Sequence, residues 1–519
     1  MKKYISLFII ISLILGLFGC SKDYGGKTVS FEASQIPTTI DPFLAAGETE
    51  MTIVENVYEP LLNVTEEGKI IPGAAESYST SENGLKITFK LCRDARWSDG
   101  RAVLADDFVF SLCRGVDPET KWIGVDSIAC IKNAQDIIAG RTDPSKLAVY
   151  ASDDFTLVID LSIPDDDFLL ALAGVAGIPC RRDFFEESGG KYGMDKDSCL
   201  CNGPFYVSRW IKNEGEEALK ISKNKEYHGD RSAVSSGIYF TFDSEKNRLS
   251  KIKTGSIDGG IISKESLSSG DENNIISCAN AQVSLVFSSS QNALTADKNL
   301  RKALYLSADR SCLSTVLSEY EQPLDSILLP NSFLAGGKYI ELDTQSVPTQ
   351  NNEEAVAAFA QAQKNIDVKK LSELKLIYSE EDERHTIINY SVQCWQKLFG
   401  INVKVEKVRD SDISPMLKSG EAQMAVISVN PVDRLAVSTL NMFEKNKIPV
   451  GDDQYTELIK AGSTSNDKVL ECEKYLFDNY LVFPLYFTQK YFVFSKSVVN
   501  PEINSFWGTL DFSKIGISS

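Results

Sequence analysis

Histidine is nearly absent from this chain: His228 and His385 are the only two among 519 residues. A Ser-His-Asp triad needs a histidine base beside its nucleophile, and a histidine-rich metal centre needs several imidazoles. Neither histidine stands in a His-Glu-x-x-His segment. Tyr227-His228-Gly229-Asp230 reads as a turn, and His385 falls at a helix start. Positive charge is also short. Lys and Arg total 54 against 72 Asp and Glu, a net charge of -18. The basic surface that supplies most nucleic-acid affinity is therefore missing. An acidic surface suits an exported protein kept soluble by its charge, and would also favour a cationic solute. A phosphate loop is lacking, because Gly26-Lys27-Thr28 imitates its tail but Ser21 stands where the leading glycine belongs. Asp165-Asp166-Asp167 lacks the alternating spacing of a calcium loop and reads as a solvated acidic loop. No catalytic group, metal site or cofactor site emerges, and beyond the first 20 residues no apolar run is long enough to span a bilayer.

What the chain does have begins at its N-terminus. Lys2 and Lys3 precede an apolar stretch, Ile5 to Phe18, which ends in Gly19-Cys20 and gives way to Ser21-Lys22-Asp23. The run is too short for a spanning helix and has the layout of a secretory signal. A small residue before a cysteine resembles the bacterial lipobox, in which the thiol is lipidated before cleavage. Residues 1–19 are read as the signal peptide and Cys20 as the lipidated first residue of the mature protein. The rest would lie on the outer face of the cytoplasmic membrane, periplasmic or extracellular, tethered by acyl chains. Ten further cysteines fit such a location but are too few for a disulfide scaffold. Their pairing is not readable from spacing, and most read as small buried hydrophobes.

About 500 mature residues exceed what one core supports, so two or three lobes are expected. Met51 to Leu62 carries a helical apolar stripe at Ile53, Val57 and Leu61, and Lys86 to Leu91 alternates as a half-buried strand. Asn351 and Glu354 form a capping-box-like helix start. Leu374 to Tyr378 reads as a strand. A helix with Ile388, Val392, Trp395 and Phe399 on one stripe follows, ending at Gly400, and Ile401, Val403 and Val405 then alternate as a second strand. Strand, helix and strand in that order suggest a parallel βαβ unit.

Several segments together carry a family resemblance. Arg93-Asp94-Ala95-Arg96-Trp97-Ser98-Asp99-Gly100 is followed by Ala105-Asp106-Asp107-Phe108-Val109-Phe110-Ser111 and by Arg114-Gly115-Val116-Asp117-Pro118. Further matches follow the same order along the chain: Tyr58-Glu59-Pro60-Leu61-Leu62, Asn202-Gly203-Pro204-Phe205-Tyr206, Asn224-Lys225-Glu226-Tyr227, Thr254-Gly255-Ser256-Ile257-Asp258, Arg301-Lys302-Ala303-Leu304 and Pro484-Leu485-Tyr486. The set resembles family 5 extracellular solute-binding proteins, the oligopeptide and dipeptide receptors of bacterial ABC importers. The resemblance implies an α/β, periplasmic-binding-protein-like fold of two lobes with an extra domain (cluster C, the dipeptide/oligopeptide-binding type). By resemblance the first lobe takes 20–66, 186–283 and 488–519, the extra domain 67–185, and the second lobe 284–487. It further implies a monomer that captures a peptide and passes it to an ABC permease and its ATPase. A non-peptide receptor or sensor on the same fold, and a secreted hydrolase, are the competing functions.

In peptide binders of this family the ligand lies extended between the lobes and bonds through its main chain like an added strand. By resemblance, one edge comes from the loop before Ile40-Asp41-Pro42, which contains Pro37 and Thr38. A second contributor follows the Asp-Pro-x-Thr segment, where this chain has Trp122; it reads equally as a core tryptophan. The third is a second-lobe loop whose first acid receives the peptide α-ammonium. Here that loop is Val429-Asn430-Pro431-Val432-Asp433-Arg434-Leu435-Ala436. Asn430 is a candidate contact. Val432 holds the ungapped acid position and Asp433 stands one place later. Asp433 is thus either the ammonium acceptor or a surface acid paired with Arg434 or solvated.

Overall fold

The computed structural model describes residues 26–518 apart from 214, 264–265, 268–273, 311–312, 314–316, 318–320, 340–346, 381–384, 432 and 463–464. The signal, Cys20, Cys312 and Val432 lie outside the described residues.

Two strands of 13 residues each, Ile275–Phe287 and Val482–Phe494, run antiparallel through the middle of one 11-stranded sheet. On one side of the pair follow Gly259–Ile262, Thr28–Ala33, Gly237–Phe242, Ala218–Lys223 and Phe205–Ile211. On the other follow Met424–Val429, Lys375–Ser379 and Lys404–Val408. Each flank buries its own core. Phe31, Phe240 and Phe512 pack together in the first, with the Phe31 and Phe512 rings 5.4 Å apart. Leu304, Leu376 and Trp395 lie in the second. A third core, holding Phe89, Trp97 and Phe108, belongs to a separate four-stranded sheet ordered Ala75–Thr80, Lys86–Leu91, Thr156–Asp160 and Val149–Asp153. The chain adopts the expected α/β fold of two lobes with an extra domain.

Local sequence accounts for many of these elements. The strand Lys86–Leu91 alternates outward Lys86 and Lys90 with buried Ile87, Phe89 and Leu91. Asp107, in the first turn of the helix Ala105–Val116, accepts the Trp97 indole N–H and the Leu104 amide, both at 2.9 Å. One carboxylate thereby starts the helix and fixes a fully buried tryptophan. Asn351 caps the helix Asn352–Asn365 by accepting the Glu354 amide at 3.1 Å. The βαβ unit forms as expected: Lys375–Ser379, the helix His385–Phe399, Gly400 at φ +67, then Lys404–Val408 paired in parallel with the first strand. Here Ile401 and Val403 are buried before the strand starts, while Val405 is exposed on what is the sheet's edge.

Two expectations shift. The helix expected over Met51 to Leu62 spans Glu48–Val57. Pro60 disfavours the helical conformation for Glu59, so the chain leaves extended at Tyr58, and Leu61 is buried from a loop. The acidic run is less solvated than it reads: Asp167 is buried and its carboxylate accepts the Ala335 amide at 2.7 Å. The nine described cysteines are all free thiols. Among the described residues no helix is long and apolar enough to cross a membrane.

Candidate functional site

Asn280 and Lys490, on the two long central strands, look into a cavity of about 240 Å³ between the lobes. The first lobe adds the loop Ala45, Ala46, Gly47 and the start of the helix Glu48–Val57. The extra domain adds Ile123, and the second lobe adds Asn430, Pro431 and Arg434. Trp507 and Thr509 close it from the C-terminal hairpin. Of the three expected regions only the second-lobe loop lines the cavity itself, through Asn430, Pro431 and Arg434; the other contributions come from Ala45 to Glu48 and from Ile123, beyond the residues expected.

The individual residues fall differently. Asn430 lines the cavity. Trp122 does not; it is 7% exposed and its ring lies 4.8 Å from Phe43, within the extra-domain core. Its neighbour Ile123, 63% exposed, is the one that reaches the cavity. Pro37 is buried and has no N–H to offer a ligand. The Thr38 amide and hydroxyl both donate to Glu50 at 2.8 Å, and its carbonyl accepts from Lys212 at 2.9 Å. Neither residue lines the cavity. Asp433 does not line it either. Its carboxylate accepts the Leu435 amide at 2.9 Å and the Ser438 hydroxyl at 3.1 Å, which engages it at the turn that leads into the helix Ala436–Asn441. Burial pushes its pKa up, against these two hydrogen bonds.

Arg434, the next residue, was assigned no binding role from the sequence, and it is the one that enters the cavity wall. It is 4% exposed. Among the described residues its guanidinium makes one hydrogen bond, Nη1 to the Asn280 carbonyl at 3.2 Å, and no ion pair. Gly508, at φ +67, makes room for it: a Cβ there would sit 2.5 Å from Nη2. Lys490 pairs with Glu48 at 3.2 Å. The cavity therefore holds two cations and one carboxylate. The sequence signal was a lone arginine running into the apolar Leu435-Ala436.

A larger cavity, about 1030 Å³, lies on the opposite face of the central strands. Gln489 and Lys490 are successive strand residues and so point to opposite faces; the first lines the larger cavity, the second the smaller. The cations of the larger one are paired with acids, while Glu67, Glu76 and Asp230 line it without an ion pair among the described residues. Arg231 meets Glu55 at 2.5 Å, Asp511 at 3.5 Å and Glu59 at 3.8 Å, while Lys514 meets Glu502 and Lys338 meets Glu66. Burial, outweighing the attraction of Arg231, pushes Glu55 up to about 8. His228 lines this cavity. Among the described residues no group of three or more His, Cys, Asp or Glu side chains could hold a metal.

Residues 69–448 match the model of bacterial extracellular solute-binding proteins, family 5. The chain belongs to that family. It is similar to the Escherichia coli periplasmic murein peptide-binding protein MppA, 28% identical over 383 residues covering 71% of this chain and 69% of the relative. It is also similar to the probable deoxycholate-binding periplasmic protein YgiS of the same organism, 25% identical over 419 residues, 79% and 76% of the two chains. The structure of Listeria monocytogenes OppA bound to peptide shares the fold, with a TM-score of 0.73 at 23% identity, covering 96% of this chain and 100% of that one.

This family 5 protein is described with its lobes in contact. Asp126 of the extra domain accepts from Lys447 at 2.7 Å and Asn441 at 2.8 Å in the second lobe. The Ala335 amide reaches Asp167, and Phe333 packs on Phe506 with centroids 5.3 Å apart. Each contact joins segments far apart in sequence. Those to Asp126 and Asp167 are polar, as suits lobes that part to admit a solute.

Proposed function

We propose that the protein captures peptides between its lobes outside the cytoplasmic membrane and delivers them to an ABC permease and its ATPase. The observation that carries this reading is the convergence of all three lobes on the cavity at Asn280, Asn430 and Lys490. A cavity with polar groups on several elements can bond a ligand's main chain, which gives affinity with little dependence on side chains. The names of MppA and of the peptide-bound OppA structure support peptides as the solute class. We further propose that the chain works as a monomer without catalysis and is held at the membrane by lipid on Cys20. Cys20→Ser should abolish fatty-acid labelling in cells; persistent labelling would remove the anchor.

A second reading, a non-peptide acid as solute, is favoured by one observation: the cavity wall presents Arg434, while Asp433 is engaged at a helix start. The name of YgiS points the same way, since deoxycholate is a carboxylate without an ammonium group. Thermal unfolding with a tripeptide mixture and, separately, with deoxycholate decides between them, because a ligand that binds only the folded state raises its melting temperature. A rise with tripeptides alone supports the first reading; a rise with deoxycholate alone supports the second.

A further inference from the structure

The wall of the interlobe cavity contains a cation that makes no ion pair among the described residues, although the neighbouring Asp433 carboxylate attracts it through space. Arg434 is 4% exposed, stays protonated at any physiological pH, and has one backbone carbonyl as its partner. The nearest acid in sequence, Asp433, has both carboxylate oxygens engaged by Leu435 and Ser438. Glu48 is paired with Lys490. A buried charge left in this state is costly, and the cost falls when an opposite charge enters with good geometry. The planar guanidinium matches a carboxylate with two parallel N–H donors. Beside it the Asn280 side-chain oxygen is buried without a hydrogen-bond partner among the described residues, ready to accept a donor from the same ligand. Gly508 keeps the guanidinium in place by having no side chain.

We propose that Arg434, assisted by Lys490, determines the specificity of this cleft by taking a carboxylate of the solute, at the loop where the family resemblance implied an acid taking an ammonium. This rests on the reading of the cavity as the solute site. For a peptide, the carboxylate is either the C-terminus or an acidic side chain, and a free α-ammonium is not required.

Calorimetry and thermal unfolding on the full mature chain test it with four probes: tripeptides built from Ala, Leu, Phe and Ser as free acids, the same mixture N-acetylated, the same mixture C-amidated, and a C-amidated mixture that includes Glu. The free acids should bind about 10- to 100-fold more tightly than the Glu-free amides, the range expected for a charge-assisted hydrogen bond. N-acetylation should leave binding within about threefold. Recovery of affinity in the Glu-containing amides would assign the carboxylate to a side chain; its absence would assign it to the C-terminus. Arg434→Met should remove the difference between acid and amide, and Lys490→Met should reduce it without depending on the folding of the first variant. Amides that bind as tightly as acids would overturn the anion site while leaving the peptide reading intact. No binding by any of these carboxylates, nor by deoxycholate, would overturn both.

Discussion

The two cavities on either face of the central strands differ in what their charges do. The larger, about 1030 Å³, is acidic: its cations are already paired, with Arg231 shared among Glu55, Glu59 and Asp511, while Glu67, Glu76 and Asp230 line it without an ion pair among the described residues. In the smaller, about 240 Å³, the Arg434 guanidinium makes no ion pair and the Asn280 amide oxygen has no donor among the described residues. Volume and function therefore separate. An ion network on Arg231 holds parts of the fold together, whereas a cation without an ion pair where the two lobes and the extra domain meet is what an anionic solute can complete.

The largest expected effect breaks the network in the larger cavity. Arg231→Met leaves buried carboxylates without a partner and should destabilise the first lobe by about 3–5 kcal/mol, read by denaturant unfolding. Protein that remains folded should bind solute as the parent does. Lost binding at unchanged stability would turn the comparison around and make the larger cavity the site.

Gly508→Ala comes next. The added methyl meets the Arg434 guanidinium, and the left-handed backbone adds a cost of about 1–2 kcal/mol. Displacing the guanidinium should weaken binding of a carboxylate solute by about tenfold, measured by calorimetry. Full affinity in a folded variant would show that Arg434 does not need its present position.

These residues show where the sequence was legible. The strand Lys86–Leu91 and the unit from Lys375 to Val408 were readable because alternation, helical spacing and Gly400 are local signals. The central strands were not. Ile275–Phe287 pairs with Val482–Phe494 some two hundred residues away, and its burial alternates over Cys278 to Ala281 but is continuous from there to Phe287. The choice between Asp433 and Arg434 was hidden for a similar reason. Which side chain faces the cavity depends on the hydrogen bonds that Asp433 accepts from Leu435 and Ser438, and on room left by Gly508 from the far end of the chain. Trp122 and Ile123 exchanged roles because Phe43, distant in sequence, packs against the tryptophan ring at a tilt.

Closure should also depend on pH. Burial first, then repulsion from Asp165, pushes Asp167 up to about 7 from an ordinary 3.8, with Asp166 and Asp433 adding to the rise. A carboxyl raised on folding holds a proton that the exposed form gives up. Its contribution to the closed form is complete below about pH 4 and is lost as pH rises through about 7. Solute affinity should accordingly be higher at pH 5.5 than at pH 8.5, and Asp167→Asn, which mimics the protonated group, should flatten that dependence. An unchanged slope in the variant would remove Asp167 from closure.

The smallest expected effect is at Asp126, which joins Lys447 and Asn441 across the lobes at the surface. Exposed pairs contribute about 0.2–1 kcal/mol, so Asp126→Ala should raise the dissociation constant by less than about fivefold, chiefly through faster release in stopped-flow experiments. A larger loss would make this contact a main determinant of closure.

A crystal structure of the mature protein grown with the free-acid tripeptide mixture tests the central claim most directly. The account places ligand density between Ala46, Asn430 and Trp507, with a carboxylate oxygen within about 3.2 Å of the Arg434 guanidinium. Density in the larger cavity, between His228 and Asn504, would contradict it.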